Sequence, residues 1–371
     1  HHLIHSLSSF YNSGFNKSLS IVIDSNGSRH GHKIDTKVIE GDEVESIFIQ
    51  EYPLSTKTLS STHFNPNIDS PKSLPPYNII NTIGIGKAYE AVTEYLGFKG
   101  EEAGKTMGLS SYGKSSNLPT IISKDFRNKE LFVFEDIGGC YLPHIKENIL
   151  NFYSKKDIAW KIQDDTQKMV GDIIEEAVKK TNIKQVCCSG GYFLNYVTNY
   201  YLAKRFPDIK FYFEPISNDA GTSIGAAKLV WYEKTQDTTI HPQKTLYYGP
   251  KYSNKKLKKQ IKKFQNMFNP YKITSEQVAK LISERNIVCI FQGRSEAGPR
   301  ALGNRSILYD PTDPNGKDFV NKVKKREWFR PFAGTVLLEK ANEWFDMAGL
   351  EESPFMMYAM DVWPDKQETI K

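Results

Sequence analysis

The feature that most constrains the fold is a strand–turn–helix unit that occurs twice in succession. IKQVCCSGG runs into YFLNYVTNYYLAKRF, and IKFYFEP runs into SNDAGTSIGAAKLVWYE. Each pairs a β-branched and apolar run with a small-residue turn and then a helical pattern. That alternation predicts α/β architecture with a mostly parallel sheet. Open sheets of this kind take ligands at the carboxyl ends of their strands. The turns Ser189-Gly190-Gly191 and Ser217-Asn218-Asp219 therefore stand where a ligand would bind.

With 371 residues, the chain exceeds the usual size of one domain, so two are expected. Residues 19–24 (LSIVID) read as a buried strand ending in the turn Asp24-Ser25-Asn26-Gly27. Residues 51–82, rich in Ser, Pro and Asn, read as a long loop. IGKAYEAVTEYLGF predicts an amphipathic helix with Ala88, Val92, Tyr95 and Leu96 on one face and Gly97 as its stop. GEEAGKTMGLSSYGK reads as a Gly-rich loop, and residues 161–181 as a second helix. Residues 241–272 read as a polar, lysine-rich linker. A second unit from Ile273 opens with a Ser-capped helix, SEQVAKLISE, then the strand NIVCIFQG. There is no internal repeat.

The formal charge is +6, which suits anionic substrates without requiring nucleic acid. The lysine run KYSNKKLKKQIKKF reads first as a solvated helix face in the linker and second as a nucleic-acid patch. No apolar run reaches the roughly 20 residues of a membrane span, and the first residues lack a signal-peptide layout. None of the four cysteines, Cys140, Cys187, Cys188 and Cys289, falls in CxxC spacing. A cytoplasmic protein with no membrane partner is expected.

Three constellations carry chemistry. His1 and His5 stand at i and i+4, so on a helix they share a face and can chelate one ion. Asp24 and Asp219 could add carboxylates, and imidazole with carboxylate suits Fe(II), Zn or Mn. Leading histidines also match the remnant of a purification tag. In SGGYFLN, two glycines before a helix let an anion or nucleotide approach free backbone N–H groups, although a tight turn alone needs the same residues. In FQGRSEAGPRALGNRSILYDP and KVKKREWFRPFAG, Arg294, Arg300, Arg305, Lys324, Arg326 and Arg330 alternate with glycine and proline. Slim backbone beside guanidinium forks is suited to gripping phosphate or carboxylate.

These motifs, with HHLIHSLSSFYNSGF, IVIDSNG, AYEAVTEYLGFKGEEAGKTMGLSSYGK, PISNDAGTSIGAA and REWFRPFA, resemble the NodU/CmcH family of O-carbamoyltransferases over nearly the whole chain. The resemblance implies a Kae1-like domain of the ASKHA (actin-like, sugar-kinase-like) fold over 1–240 and an α+β YrdC-like domain over 273–371. It implies that ATP and carbamoyl phosphate give a carbamoyl-adenylate with release of pyrophosphate, and that the carbamoyl group passes to an acceptor hydroxyl. By the same resemblance His1, His5, Asp24 and Asp219 hold a divalent metal, with Fe(II) favoured. Gly190, Gly191 and Asn195 contact the nucleotide, joined by Arg294, Asn304 and Arg305. Arg300, Lys324 and Arg330 hold carbamoyl phosphate. The tag explanation then needs a coincidence, because the residues after it continue the family pattern.

The family pattern extends beyond both ends, so we expect both domains to be truncated. Ser110-Ser111 stands where Ala-Pro is the family expectation. The acceptor is expected to be a small molecule or natural product, and a homodimer is compatible with the sequence. Two other classes stay open: modification of a nucleic-acid base, and a non-catalytic nucleotide-binding fragment.

Overall fold

The computed structural model describes residues 1–34, 36–115, 117–137, 140–146 and 150–370. It divides into two compact units: His1–Gln243 with Met357–Ala359, and Lys244–Met356 with Met360–Lys371.

The first unit is built on one large sheet. In chain order its elements are α1 (His2–Ser13), β1 (Lys17–Ile23), β2 (Arg29–Ile34), β3 (Lys37–Glu51), β4 (Ser55–Phe64), β5 (Lys72–Leu74) and β6 (Tyr77–Ile80). Then come α2 (Ile85–Tyr95), α3 (Ala103–Ser110), β7 (Phe132–Ile137), β8 (Cys140–Ile145), α4 (Lys155–Thr181), β9 (Gln185–Ser189), α5 (Tyr196–Arg205), β10 (Lys210–Phe213) and α6 (Thr222–Thr235). Among the described residues, eight strands pair in the order β10-β9-β1-β3-β4-β6-β5, with β2 also on β3, while β7 and β8 form an antiparallel pair of their own. β1, β9 and β10 run parallel, as do β4 and β6. The β1–β3, β2–β3, β3–β4 and β5–β6 pairs are antiparallel. The expected mostly parallel sheet is therefore mixed. The cause is the β2–β3–β4 meander, whose short connections can join only antiparallel neighbours.

Two stretches read as loops are regular structure. Residues 51–82 contain β4, β5 and β6. β4 carries few apolar side chains, so alternation does not announce it. Its hydroxyl and imidazole groups instead find partners within the sheet, Ser61 Oγ lying 2.9 Å from both Ser46 Oγ and His63 Nε2. GEEAGKTMGLSSYGK contains α3, held by the burial of Thr106, Met107 and Leu109 despite Gly104 and Gly108. Tertiary burial overrides weak helix propensity there.

The three parallel strands position the site. Their carboxyl ends lie side by side, followed respectively by Asp24, Gly190 and the Glu214–Asp219 turn. Leu19, Ile21, Val22, Ile23, Val186, Cys187 and Cys188 are fully buried there. Burial pushes the Cys187 thiol up to about 12 and Cys188 well above the usual range, so both behave as small hydrophobes. Helix α1 crosses α6 closely, because a Cβ on Gly225 would lie 2.6 Å from the Ile4 carbonyl oxygen. Leu7, Phe10, Tyr11 and Tyr232 fill the remainder of that contact.

The second unit contains α7 (Asn254–Lys263), α8 (Ser275–Ser283), the antiparallel pair β11 (Val288–Phe291) and β12 (Arg305–Leu308), and α9 (Gly316–Val323). The cap of α8 is Thr274 rather than Ser275: its hydroxyl accepts from Gln277 N–H while the Gln277 side chain accepts from Thr274 N–H, a reciprocal capping box.

Candidate functional site

Four donors converge at the carboxyl ends of β1, β9 and β10. The nearest ligand atoms of His1, His5, Asp24 and Asp219 all lie within 4.8 Å of one another. The two imidazole Nε2 atoms are 3.1 Å apart. His1 Nε2 is 3.7 Å from Asp24 Oδ2 and 3.3 Å from Asp219 Oδ1, and His5 Nε2 is 3.4 Å from each carboxylate. Donors about 2.1 Å from one ion stand roughly 3.0–3.4 Å apart at octahedral or tetrahedral angles. The spacing and the two-imidazole, two-carboxylate donor set therefore fit a divalent transition metal.

Each of the four side chains has a local reason to point there. Helix α1 puts the two histidines on one face, and the carboxylate of Glu43, far away in sequence, accepts the His2 N–H at 3.1 Å at the helix start. The other ring nitrogen of His5 faces Ser189 Oγ at 3.4 Å, which orients the imidazole. Asp24 accepts N–H bonds from Ser25 at 2.8 Å and Gly191 at 3.3 Å. The turn bearing Asp219 is pinned three times. Buried Glu214 accepts from Asn12 Nδ2 at 2.9 Å and from Ile216 N–H at 3.1 Å, Ser217 Oγ donates to the Gly190 carbonyl at 2.7 Å, and Ser8 Oγ donates to that of Gly221 at 3.1 Å.

The electrostatics fit a charged cluster. The hydrogen bond from His1 to Asp24, opposed by burial, raises the His1 pKa. Burial works against ionisation of Asp24, but the hydrogen bonds of His1 and His5 outweigh it and hold the carboxyl well below its usual range. His2, wholly buried beside them, is pushed down to about 4 by burial and stays neutral.

The Gly turn meets this cluster. Gly190 adopts φ +92°, and Gly191 presents its N–H to Asp24. Asn195 serves the fold: its Oδ1 accepts from Thr198 N–H at 3.1 Å, capping α5, and its Nδ2 donates to Gln163 Oε1 at 2.8 Å.

In the second unit the predicted residues fall on two separate turns. On the first, Asn304 Nδ2 donates to the Arg294 carbonyl at 2.7 Å, and Arg294 Nη1 to that of Gly249 at 3.1 Å. Arg305 stacks 3.7 Å from the centroid of Phe291 and donates to the carbonyls of Gln292 and Asn304. Arg300 lies half-buried in the same loop. On the second turn, exposed Lys324 ends α9 and half-buried Arg330 follows. Asn321 shapes that turn by donating to the carbonyls of Trp328 at 3.2 Å and Arg330 at 3.0 Å.

Sequence reasoning missed Glu296. Its Oε1 accepts the N–H groups of Leu302 at 2.9 Å, Asn304 at 2.8 Å and Arg305 at 3.1 Å. Backbone amides that a Gly-rich loop offers to an anion are thus taken by the chain's own carboxylate. Partial burial opposes ionisation of Glu296, but these amides more than offset it and lower its pKa. A depressed folded pKa means the contribution is full above the unfolded value, about 4.3, and is lost as pH falls through the folded one. Glu296→Ala is expected to strand three donors and loosen the loop by about 1–2 kcal/mol. The protection of the Leu302, Asn304 and Arg305 amides, taken relative to intrinsic exchange at each pH, should fall in the variant and in the native chain on acidification. Unchanged protection would contradict this role.

The Carbamoyltransferase N-terminus family model matches residues 1–228, and the Carbamoyltransferase C-terminus model matches residues 279–371. The chain belongs to the carbamoyltransferase family. The resemblance read from its motifs agrees with this membership. Uncharacterized protein MJ1058 of Methanocaldococcus jannaschii is 34% identical, over 72% of this chain and 46% of its own length. Nodulation protein NolNO of Sinorhizobium fredii is 30% identical, over 100% of this chain and 52% of its own length. The chain thus spans about half the length of these relatives. Among solved structures, full-length HypF in its phosphate- and nucleotide-bound form gives a TM-score of 0.38 at 18% identity, over 62% of this chain and 42% of that one, a loose likeness.

Proposed function

We propose that the protein to which this chain belongs is an ATP-dependent O-carbamoyltransferase. Carbamoyl phosphate would be hydrolysed to carbamate and inorganic phosphate, carbamate and ATP would give a carbamoyl-adenylate and pyrophosphate, and the carbamoyl group would pass to a hydroxyl of a small-molecule acceptor with release of AMP. The observation that carries the reading is family membership across both halves of the chain. In this reading residues 1–240 form a Kae1-like domain of the ASKHA fold and residues 273–371 a YrdC-like domain.

His1, His5, Asp24 and Asp219 would hold the divalent ion, with Fe(II) favoured. When bound, it would supply Lewis acidity for a phosphate or carbonyl oxygen. The residues of the chain do the rest. Both substrates are polyanions, so their reacting ends repel. Arg300, Lys324 and Arg330 would offset that repulsion at carbamoyl phosphate and hold it in line. Arg294, Asn304 and Arg305 would steady the nucleotide, and the Gly190-Gly191 turn would let it approach the backbone closely.

The test is pyrophosphate release by the full-length protein, which should require ATP and carbamoyl phosphate together. Arg330→Ala is expected to slow it on the order of 100- to 1,000-fold, the scale of losing one charge-stabilising group. Release independent of carbamoyl phosphate would overturn the reading. Undiminished release in Arg330→Ala would overturn only that residue's assignment. A carbamoyl mass shift on a small hydroxyl compound, absent from nucleic acid, would separate the favoured acceptor class from base modification.

A further inference from the structure

We propose that α7 and the segment after it form a surface that lies on anionic lipid membranes, independently of the transfer reaction. Between Asp237 and Glu276 the chain has nine lysines and no acidic residue, which exceeds its entire net charge of +6. The segment lies between the two family-matched stretches, which end at residue 228 and resume at 279.

The helix segregates its side chains. Leu257, Ile261 and Phe264 recur at i, i+4 and i+7, along one face. Lys255, Lys258, Lys259 and Lys262 fall on the other, where none has an acidic neighbour in the helix. The apolar face is not packed away: Ile261 is 43% exposed and Phe264 40%. The exposed apolar surface continues past the helix in Met267, 80% exposed, and in Phe268 and Tyr271.

A strongly basic face opposite an exposed apolar one, with low mean hydropathy, is the pattern of a helix that lies in a membrane interface. The lysines would meet lipid phosphates, and the apolar face would enter the headgroup–acyl boundary. Single-stranded nucleic acid would use the lysines, and aromatic rings could stack on its bases. It gives no role to Leu257, Ile261 and Met267, which is why the lipid surface is favoured. The expectation of no membrane partner rested on the lack of a spanning run. No described helix is long and apolar enough to span, and a helix lying in the interface needs no such length.

The test is co-sedimentation of the full chain with vesicles of phosphatidylcholine alone or mixed with phosphatidylglycerol, beside anisotropy of a labelled single-stranded oligonucleotide. Binding is expected only to the phosphatidylglycerol vesicles, weakening as salt rises. Lys258→Glu with Lys262→Glu should weaken it roughly 10-fold or more. Ile261→Asp with Phe264→Asp should do the same with every lysine in place. All four positions are exposed, and a thermal melt checks that each variant folds. No binding to phosphatidylglycerol vesicles overturns the proposal. So does binding that ignores the apolar pair while the oligonucleotide competes it away, which would make the patch a nucleic-acid surface.

Discussion

His5→Ala is expected to lower the affinity of the chain for Fe(II), Zn(II) or Mn(II) by roughly 1,000-fold. Loss of a group that merely orients a ligand costs about 10- to 100-fold, and His5 supplies a donor atom itself. It is the most confined of the four, its side chain 1% exposed while that of Asp219 is 76% exposed. The imidazole is held from behind by Ser189. Titration calorimetry under anaerobic conditions should therefore give a graded series. Ser189→Ala should weaken binding by about 10-fold, as an orienting group would. Asp219→Asn should fall between it and His5→Ala. Removing His5 also leaves Asp24 short of one of the two partners that hold it ionised, so a melt must accompany each titration. Native protein that binds none of these ions more tightly than His5→Ala would remove the metal centre altogether.

That series tests residues the sequence made visible, and the reason they were visible is topological. Parallel neighbouring strands end at the same edge. A carboxylate just after β1 and another just after β10 were therefore bound to approach each other, with the glycine turn after β9 between them. The i, i+4 histidines needed only to lie on a helix. What holds these four side chains was not visible. Glu43 reaches the start of α1, and Glu214 ties α1 to the Asp219 turn, over separations of 41 and 202 residues. No local pattern marks a carboxylate that serves an amide so far away. β4 escaped detection because its Ser and His side chains satisfy each other inside the sheet instead of burying an apolar face. Glu296 was hidden for a related reason: a Gly- and Arg-rich loop signals anion binding whether the anion is a ligand or the chain's own side chain.

Gly190→Ala is expected to destabilise the first unit by about 3 kcal/mol or more and to weaken metal binding with it. Two effects add. The residue sits at φ +92° and ψ 153°, a region essentially reserved for glycine, where a side chain costs roughly 1–3 kcal/mol. A Cβ there would also lie 2.2 Å from the carbonyl oxygen of Ile23. Ile23 ends β1 and pairs with Glu45 of β3, so that oxygen cannot yield without moving the end of the strand. Overpacking against an immobile neighbour costs a further 1–3 kcal/mol, roughly. Gly104→Ala is the control. Gly104 lies in α3 with nothing within 4 Å of an added Cβ, so alanine should be neutral or stabilise by about 0.5–1 kcal/mol. Urea midpoints of the two variants should thus move in opposite directions. The effect on the site follows from the same contact. Ile23 precedes Asp24, and Gly191 donates to the Asp24 carboxylate, so pushing β1 from the turn must separate that carboxylate from the amide that orients it. Metal affinity in the fraction of Gly190→Ala that stays folded should fall by about 10-fold or more, as for loss of an orienting group. A variant as stable as Gly104→Ala, with metal affinity intact, would mean that β1 and the glycine turn do not stand this close.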